Sequence, residues 1–243
     1  MKKQNNYRPY IIVASRTFFL ILAQSIVSLV FYLKGSTSPW RESAAWYTVY
    51  GTIADIGCLS LLIPFCIKER LSFKQLIRFK NNRFLKDILT GVVLFVLFFP
   101  LIGMGGSCLV GKIMNINIEV MQYKGILTER ILPHWAYLYS FFIWLPIWSL
   151  VEEITYQGFG LSHILEDSGK KWLAISYVGF WFTLQHSFFP LILDWRYIIF
   201  RFIAFAPLVL VFLIFFIKKQ RLVPVIVAQY IMDFMVVWWT IKI

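Results

Sequence analysis

The sequence predicts an all-α fold, a polytopic transmembrane helical bundle of about seven spans with its N-terminus inside. Composition is the first observation behind this. Hydrophobic residues make up 59% of the 243 and charged residues only 15%, whereas soluble domains run near half apolar and about a quarter charged. The second is length. Continuous apolar stretches recur, each near or above the roughly 20 residues that cross a bilayer. They do not alternate, which argues against a β-barrel. The third is the distribution of basic residues. Placing the N-terminus inside puts 15 Lys and Arg residues in inner segments and 7 in outer ones, with Arg16 and Arg201 inside spans, as the positive-inside rule requires.

Spans are expected over 9–33, 43–67, 87–112, 135–165, 171–189, 195–217 and 222–241, within one integral membrane domain covering 1–243. Met1-Lys2-Lys3 looks like the start of a signal peptide. The apolar run behind it continues to about Leu33 with no A-x-A-like cleavage site, so the first span is read as a retained helix. The second holds Asp55, which shows no spacing signal. The third carries Gly103-Met104-Gly105-Gly106. No Lys-Ser/Thr follows, so this is a kink or a close helix approach and not a phosphate loop. Between the second and third spans, the basic stretch Lys68 to Lys86 includes Leu71, Phe73, Leu76, Ile77 and Phe79. It is either a short amphipathic helix on the inner leaflet or an irregular loop. The connection from Met114 to His134 offers no functional reading. Cys58, Cys66 and Cys108 lack metal or CxxC spacing and are read as small buried thiols.

The last four spans, 135–241, carry the polar groups that a bilayer tolerates least. Glu152-Glu153 and Gln157 lie on the fourth, His186 on the fifth within Phe182-Thr183-Leu184-Gln185-His186, and Gln229 and Asp233 on the seventh. One charge near the bilayer centre costs a few kcal/mol, so such a group marks a functional site by default. Gln229 and Asp233 are four residues apart and share a helix face. At about 1.5 Å per residue, Glu153, His186 and Asp233 lie about 18, 22 and 16 Å from the inner ends of their helices. A similar depth lets them meet. Low-dielectric surroundings tighten a carboxylate's hold on a proton, which suits it to general-base work near neutrality. An imidazole can orient the attacking water, and carboxamide N–H groups can stabilise an oxyanion. The set suits peptide hydrolysis with water as nucleophile.

Taken in order, these residues resemble the CPBP (Abi, CAAX-protease-like) intramembrane endopeptidases. Their pattern is Glu-Glu-x-x-x-Arg, then Phe-x-x-x-His, then His-x-x-x-Asn/Asp, all on transmembrane helices. Here the motifs read Glu152-Glu153-Ile154-Thr155-Tyr156-Gln157, Phe182 to His186, and Gln229 to Asp233 after Pro-Val-Ile-Val-Ala. The resemblance implies water activation by Glu152 and His186 and oxyanion stabilisation by Gln229 with Asp233. Glu153, Gln157 and Phe182 would support them. Gln157 stands where the family usually has Arg, and Gln229 where it usually has His. A carboxamide is a poor zinc ligand, so no cofactor is favoured; zinc held by Glu152, His186 and Asp233 is the alternative. The resemblance also implies a multi-pass protein of the cell membrane that acts on a membrane-associated or secreted peptide, in peptide maturation or bacteriocin self-immunity.

Blander readings stand beside each residue. Glu152-Glu153 is alternatively a structural polar contact, His186 a histidine bonded to a carbonyl, and Gln229 with Asp233 an interhelical hydrogen-bonding pair. Arg16 and Arg201 are expected to snorkel or to pair with a helix-borne acid. His134 and His163 are expected at interfaces. The net charge of +12 points to anionic membrane lipids and not to nucleic acid. A catalytically weakened scaffold binding a regulatory membrane partner is the alternative function.

Overall fold

The computed structural model describes residues 7–116 and 132–240. Seven long helical rods account for most of them, with no β-strand among the described residues. The rods are α1 (Arg8–Leu33), α2 (Tyr47–Lys68), α3 (84–113), α4 (134–168), α5 (Lys171–Ser187), α6 (Trp195–Lys219) and α7 (Val223–Thr240). Each coincides with an expected span to within a few residues. Four stretches are long and apolar enough to cross a membrane on length and composition alone: Arg8–Leu33, Tyr47–Lys68, Phe73–Ile113 and Trp195–Lys219. The other rods are shorter or carry the polar residues. The chain is thus an all-α, multi-pass bundle. The Met114 to His134 connection lies mostly outside the described residues.

α4 occupies the centre. It packs against α1, α2, α5 and α7, and every residue from 151 to 161 is buried. A helix covered on all sides must be narrow where its neighbours cross. Gly158 and Gly160 meet that need: a Cβ would stand 2.9 Å from the Leu76 carbonyl oxygen at the first and 2.3 Å from Val13 Cγ2 at the second. α4 is also wound with two π-helical stretches, Ser140–Trp144 and Ile154–Leu161. The first ends just before Pro146, whose missing N–H disrupts the regular ladder. The second holds Gln157, whose carbonyl accepts from the Ser162 hydroxyl at 3.2 Å. Such bulges re-aim side chains and cluster at functional sites.

α3 is the most peripheral rod and shows apolar side chains outward, among them Leu85, Leu89, Val93 and Leu101. Lipid tails are as apolar as those side chains, so contact between helices gains by close packing. α7 lies along α3, where a Cβ on Gly91 would stand 2.6 Å from both the Pro224 carbonyl oxygen and Val227 Cβ. Gly91→Val is therefore expected to destabilise the bundle by about 1–3 kcal/mol, the usual range for overpacking. Thermal unfolding in detergent checks this, and an unchanged midpoint would show that α3 and α7 separate at no cost. Phe99–Met104 of α3 is π-helical around Pro100 and Gly103, so the glycine-rich run is a helix irregularity, as its composition suggested.

The basic stretch 68–86 is neither of the two forms expected from its sequence. A single helical turn, Phe73–Leu76, is capped by Ser72, which exchanges hydrogen bonds with Gln75, and a 3₁₀ turn follows at Asn81–Arg83. Leu76 and Ile77 are buried in a core cluster that also holds Ile154 and Tyr156 of α4, and the Leu76 carbonyl faces Gly158. The apolar residues of this stretch are thus partly anchors into the bundle. Two other expectations need correction. Cys108 is exposed and Cys66 half-buried, so only Cys58 is a buried thiol. Arg201 does not reach out of the bundle; it is buried, and it donates to the carbonyls of His186 at 3.0 Å and Phe189 at 3.4 Å.

Candidate active site

A cavity of about 480 Å³ opens between α3, α4, α5, α6 and α7. Glu152, Phe182, His186, Gln229 and Asp233 all line it. Of the three residues placed at a similar depth, His186 and Asp233 reach the cavity, and Glu152 reaches it in place of Glu153. The remaining wall is largely aromatic and aliphatic, with Trp144, Trp148, Phe189, Phe205 and Phe212 among the residues. Glu153 and Gln157 do not line the cavity. They lie fully buried within α4.

Each of the three carboxyl groups takes a carboxamide N–H. Gln185 donates to Glu152 Oε1. Gln157 Nε2 donates to Glu153 Oε2 at 2.5 Å, one turn along the same helix. Gln229 Nε2 donates to both oxygens of Asp233, at 3.1 and 3.3 Å. Glutamine at 157 therefore does support the second glutamate. A carboxamide meets a carboxyl with a neutral donor, which is weaker than the charge-assisted fork of an arginine. Glu152 Oε2 and Glu153 Oε1 are buried with no hydrogen-bond partner among the described residues. Unmade bonds of this kind are costly in a protein interior and recur where a group is reserved for chemistry.

His186 accepts its orientation from its own helix. Its Nδ1 lies 2.8 Å from the Phe182 carbonyl oxygen. A carbonyl only accepts, so Nδ1 carries the hydrogen and the neutral ring has its lone pair on Nε2. The ring packs against Phe205, with centroids 4.4 Å apart. Phe182 in turn stacks flat on Tyr156 of α4, 4.4 Å between centroids and 2° between planes. The phenylalanine of the second motif thus ties α5 to α4 and supplies the carbonyl that sets the histidine tautomer. The bland reading of His186, a ring bonded to a carbonyl, describes Nδ1 correctly and leaves Nε2 for other work.

Three residues of this region had no role in the sequence reading. Gln185 lies beside the motif histidine and bonds Glu152. Arg16 and Asp55, from α1 and α2, form an ion pair of 2.7 Å, buried on both sides. The signal was present: a charge within each of two neighbouring apolar helices. No spacing rule links residues on different helices, so the sequence left Arg16 either to snorkel or to pair with an unnamed helix-borne acid. His163 bonds Glu69 at 2.9 Å in a half-exposed position.

The zinc alternative finds no matching donor set. Among the described residues, no three His, Cys, Asp or Glu side chains are grouped so as to hold a metal ion. Glu152, His186 and Asp233 share the cavity without forming such a group.

Neither curated proteins nor solved structures yield a match to this chain. One family model does, that of the Type II CAAX prenyl endopeptidase Rce1-like proteins, over residues 133–235. The matched segment runs from the start of α4 into α7 and contains Glu152, Glu153, His186, Gln229 and Asp233. The motif-bearing part of the chain, residues 133–235, is thus similar to the Type II CAAX prenyl endopeptidase Rce1-like family.

Proposed function

We propose that this protein is an intramembrane endopeptidase that hydrolyses a peptide bond of a membrane-associated or secreted peptide, with water primed by Glu152 and His186. The observation that carries the reading is the convergence of an acid, an imidazole and a carboxamide from three helices on one cavity inside the bundle. Glu152 takes a proton from water as the oxygen attacks the scissile carbonyl carbon. His186 Nε2 accepts the water's second hydrogen bond and orients it. The developing oxyanion is met by an N–H of Gln229. That nitrogen also donates to Asp233, and because it carries two hydrogens one is left to meet the substrate. Collapse of the tetrahedral species expels the amine, which takes the proton from Glu152 and leaves a carboxylic acid and an amine.

The aromatic walls favour an apolar substrate segment, and the basic inner segments favour anionic lipids in the surrounding cell membrane. Peptide maturation and bacteriocin self-immunity are the cellular roles that fit. The test uses protein reconstituted in liposomes and a peptide panel: a prenylated C-terminal peptide, its unmodified form, and an apolar helical peptide, with products read by mass spectrometry. Wild type is expected to cleave at least one, His186→Ala to lose about 10²–10⁴-fold in rate, and a chelator to leave the rate unchanged. Undiminished cleavage by His186→Ala would remove the histidine from the mechanism.

A second reading draws on the same geometry. Gln229 is tied to Asp233, and Glu153 has a neutral partner, which also suits a non-catalytic scaffold that binds a membrane partner. If Glu152→Ala keeps the cellular phenotype, the scaffold reading prevails.

A further inference from the structure

Arg16 is fully buried in the third turn of α1, outside the segment that matches the family. A charge in that position is costly and marks function by default. Its guanidinium pairs with Asp55 on one side. On the other, Nε donates to Gln185 Oε1 at 2.9 Å. A guanidinium only donates, so the oxygen end of the Gln185 carboxamide must face Arg16. The amide end is thereby turned to Glu152 Oε1, which accepts its hydrogen bond. Glu152 Oε2 is left as the oxygen without a hydrogen-bond partner among the described residues. Arg16 does not touch the cavity. The Trp148 ring lies 4.3 Å from the guanidinium carbon, and Trp148 and Gln185 line the wall in its place.

We propose that Arg16 is a positioning residue of the hydrolytic site, acting through Gln185 to hold one oxygen of Glu152 and reserve the other for water. The inference rests on the endopeptidase reading. It makes α1 and α2 part of the active machinery, because Asp55 balances the charge that the relay requires. Hydrogen bonds in such a chain polarise one another, and a small misplacement of a reacting group costs about 10²-fold in rate.

The test compares Gln185→Met, the charge-neutral pair Arg16→Met/Asp55→Leu, and the triple variant, with the same liposomes and peptide panel. Gln185→Met and the pair are each expected to lower kcat about 100-fold with KM within about twofold. The triple variant should lose no more than either, since one relay is broken once. A second readout is independent of turnover. A hydrophobic carbodiimide modifies carboxyls that are not held as hydrogen-bonded ions, so labelling of Glu152 should quicken in all three variants. Wild-type kcat and labelling in Gln185→Met, or losses that add in the triple variant, would overturn the positioning role. Those results beside an inactive Glu152→Ala would leave the endopeptidase reading intact, whereas cleavage by Glu152→Ala would remove the reading itself.

Discussion

Glu152→Gln is expected to lower peptide cleavage about 10³-fold while the protein accumulates in the membrane at its usual level. The magnitude is that of a lost general base. The substitution is chosen to leave the fold alone. A carboxamide has the shape of the carboxylate, and its oxygen still accepts from Gln185, so the hydrogen bond at Oε1 survives. What is lost is the ability to take a proton from water. Initial rates on the panel peptide that wild type cleaves, compared at equal protein, give the ratio. A variant that cleaves within about threefold of wild type cannot be reconciled with Glu152 as base.

Arg16→Met alone should be the most destabilising single change, by about 3–5 kcal/mol, the cost of leaving one member of a buried ion pair without its partner. Asp55 is fully buried and its oxygens have no other hydrogen bond among the described residues. With the guanidinium gone, Asp55 would have to bear an unpaired charge or take up a proton in an apolar surrounding, and Gln185 Oε1 would lose its donor. Arg16→Met/Asp55→Leu removes both charges together. Replacing a buried pair by apolar side chains is often close to neutral, so the pair should recover most of the stability while cleavage stays low. Thermal unfolding in detergent, followed by loss of soluble monomer, separates the two. Equal stability of the single and double variants would mean that Asp55 is not held by Arg16.

The architecture was legible from the sequence because it depends on a local quantity. Whether a stretch of about 20 residues is apolar enough to span lipid needs no knowledge of its neighbours, and all seven rods fall where their apolar runs do. The inner-loop stretch 68–86 was not legible for the converse reason. Leu76 and Ile77 bury themselves in a core cluster shared with α4, and a short segment shows no periodicity that tells an anchor from an amphipathic turn. The exposed Cys108 shows the same limit, since a thiol on a lipid-facing surface costs as little as one in a core.

The candidate site divides along the same line. Glu152, His186, Gln229 and Asp233 could be named from the sequence because ionisable and amide groups in apolar spans carry a penalty that marks them wherever they fall. Gln229 and Asp233 could even be paired, since four residues along one helix is a fixed geometry. Contacts between helices obey no such spacing. That Gln185 bridges Arg16 to Glu152, that Asp55 neutralises Arg16, and that Glu153 and Gln157 lie behind the cavity and not on it, all follow from how α1, α2 and α5 rotate against α4. For α1 the close approach of Val13 to Gly160 limits that rotation. The identity of the reactive groups is thus written in residue type and depth, and their wiring in side-chain shape between helices.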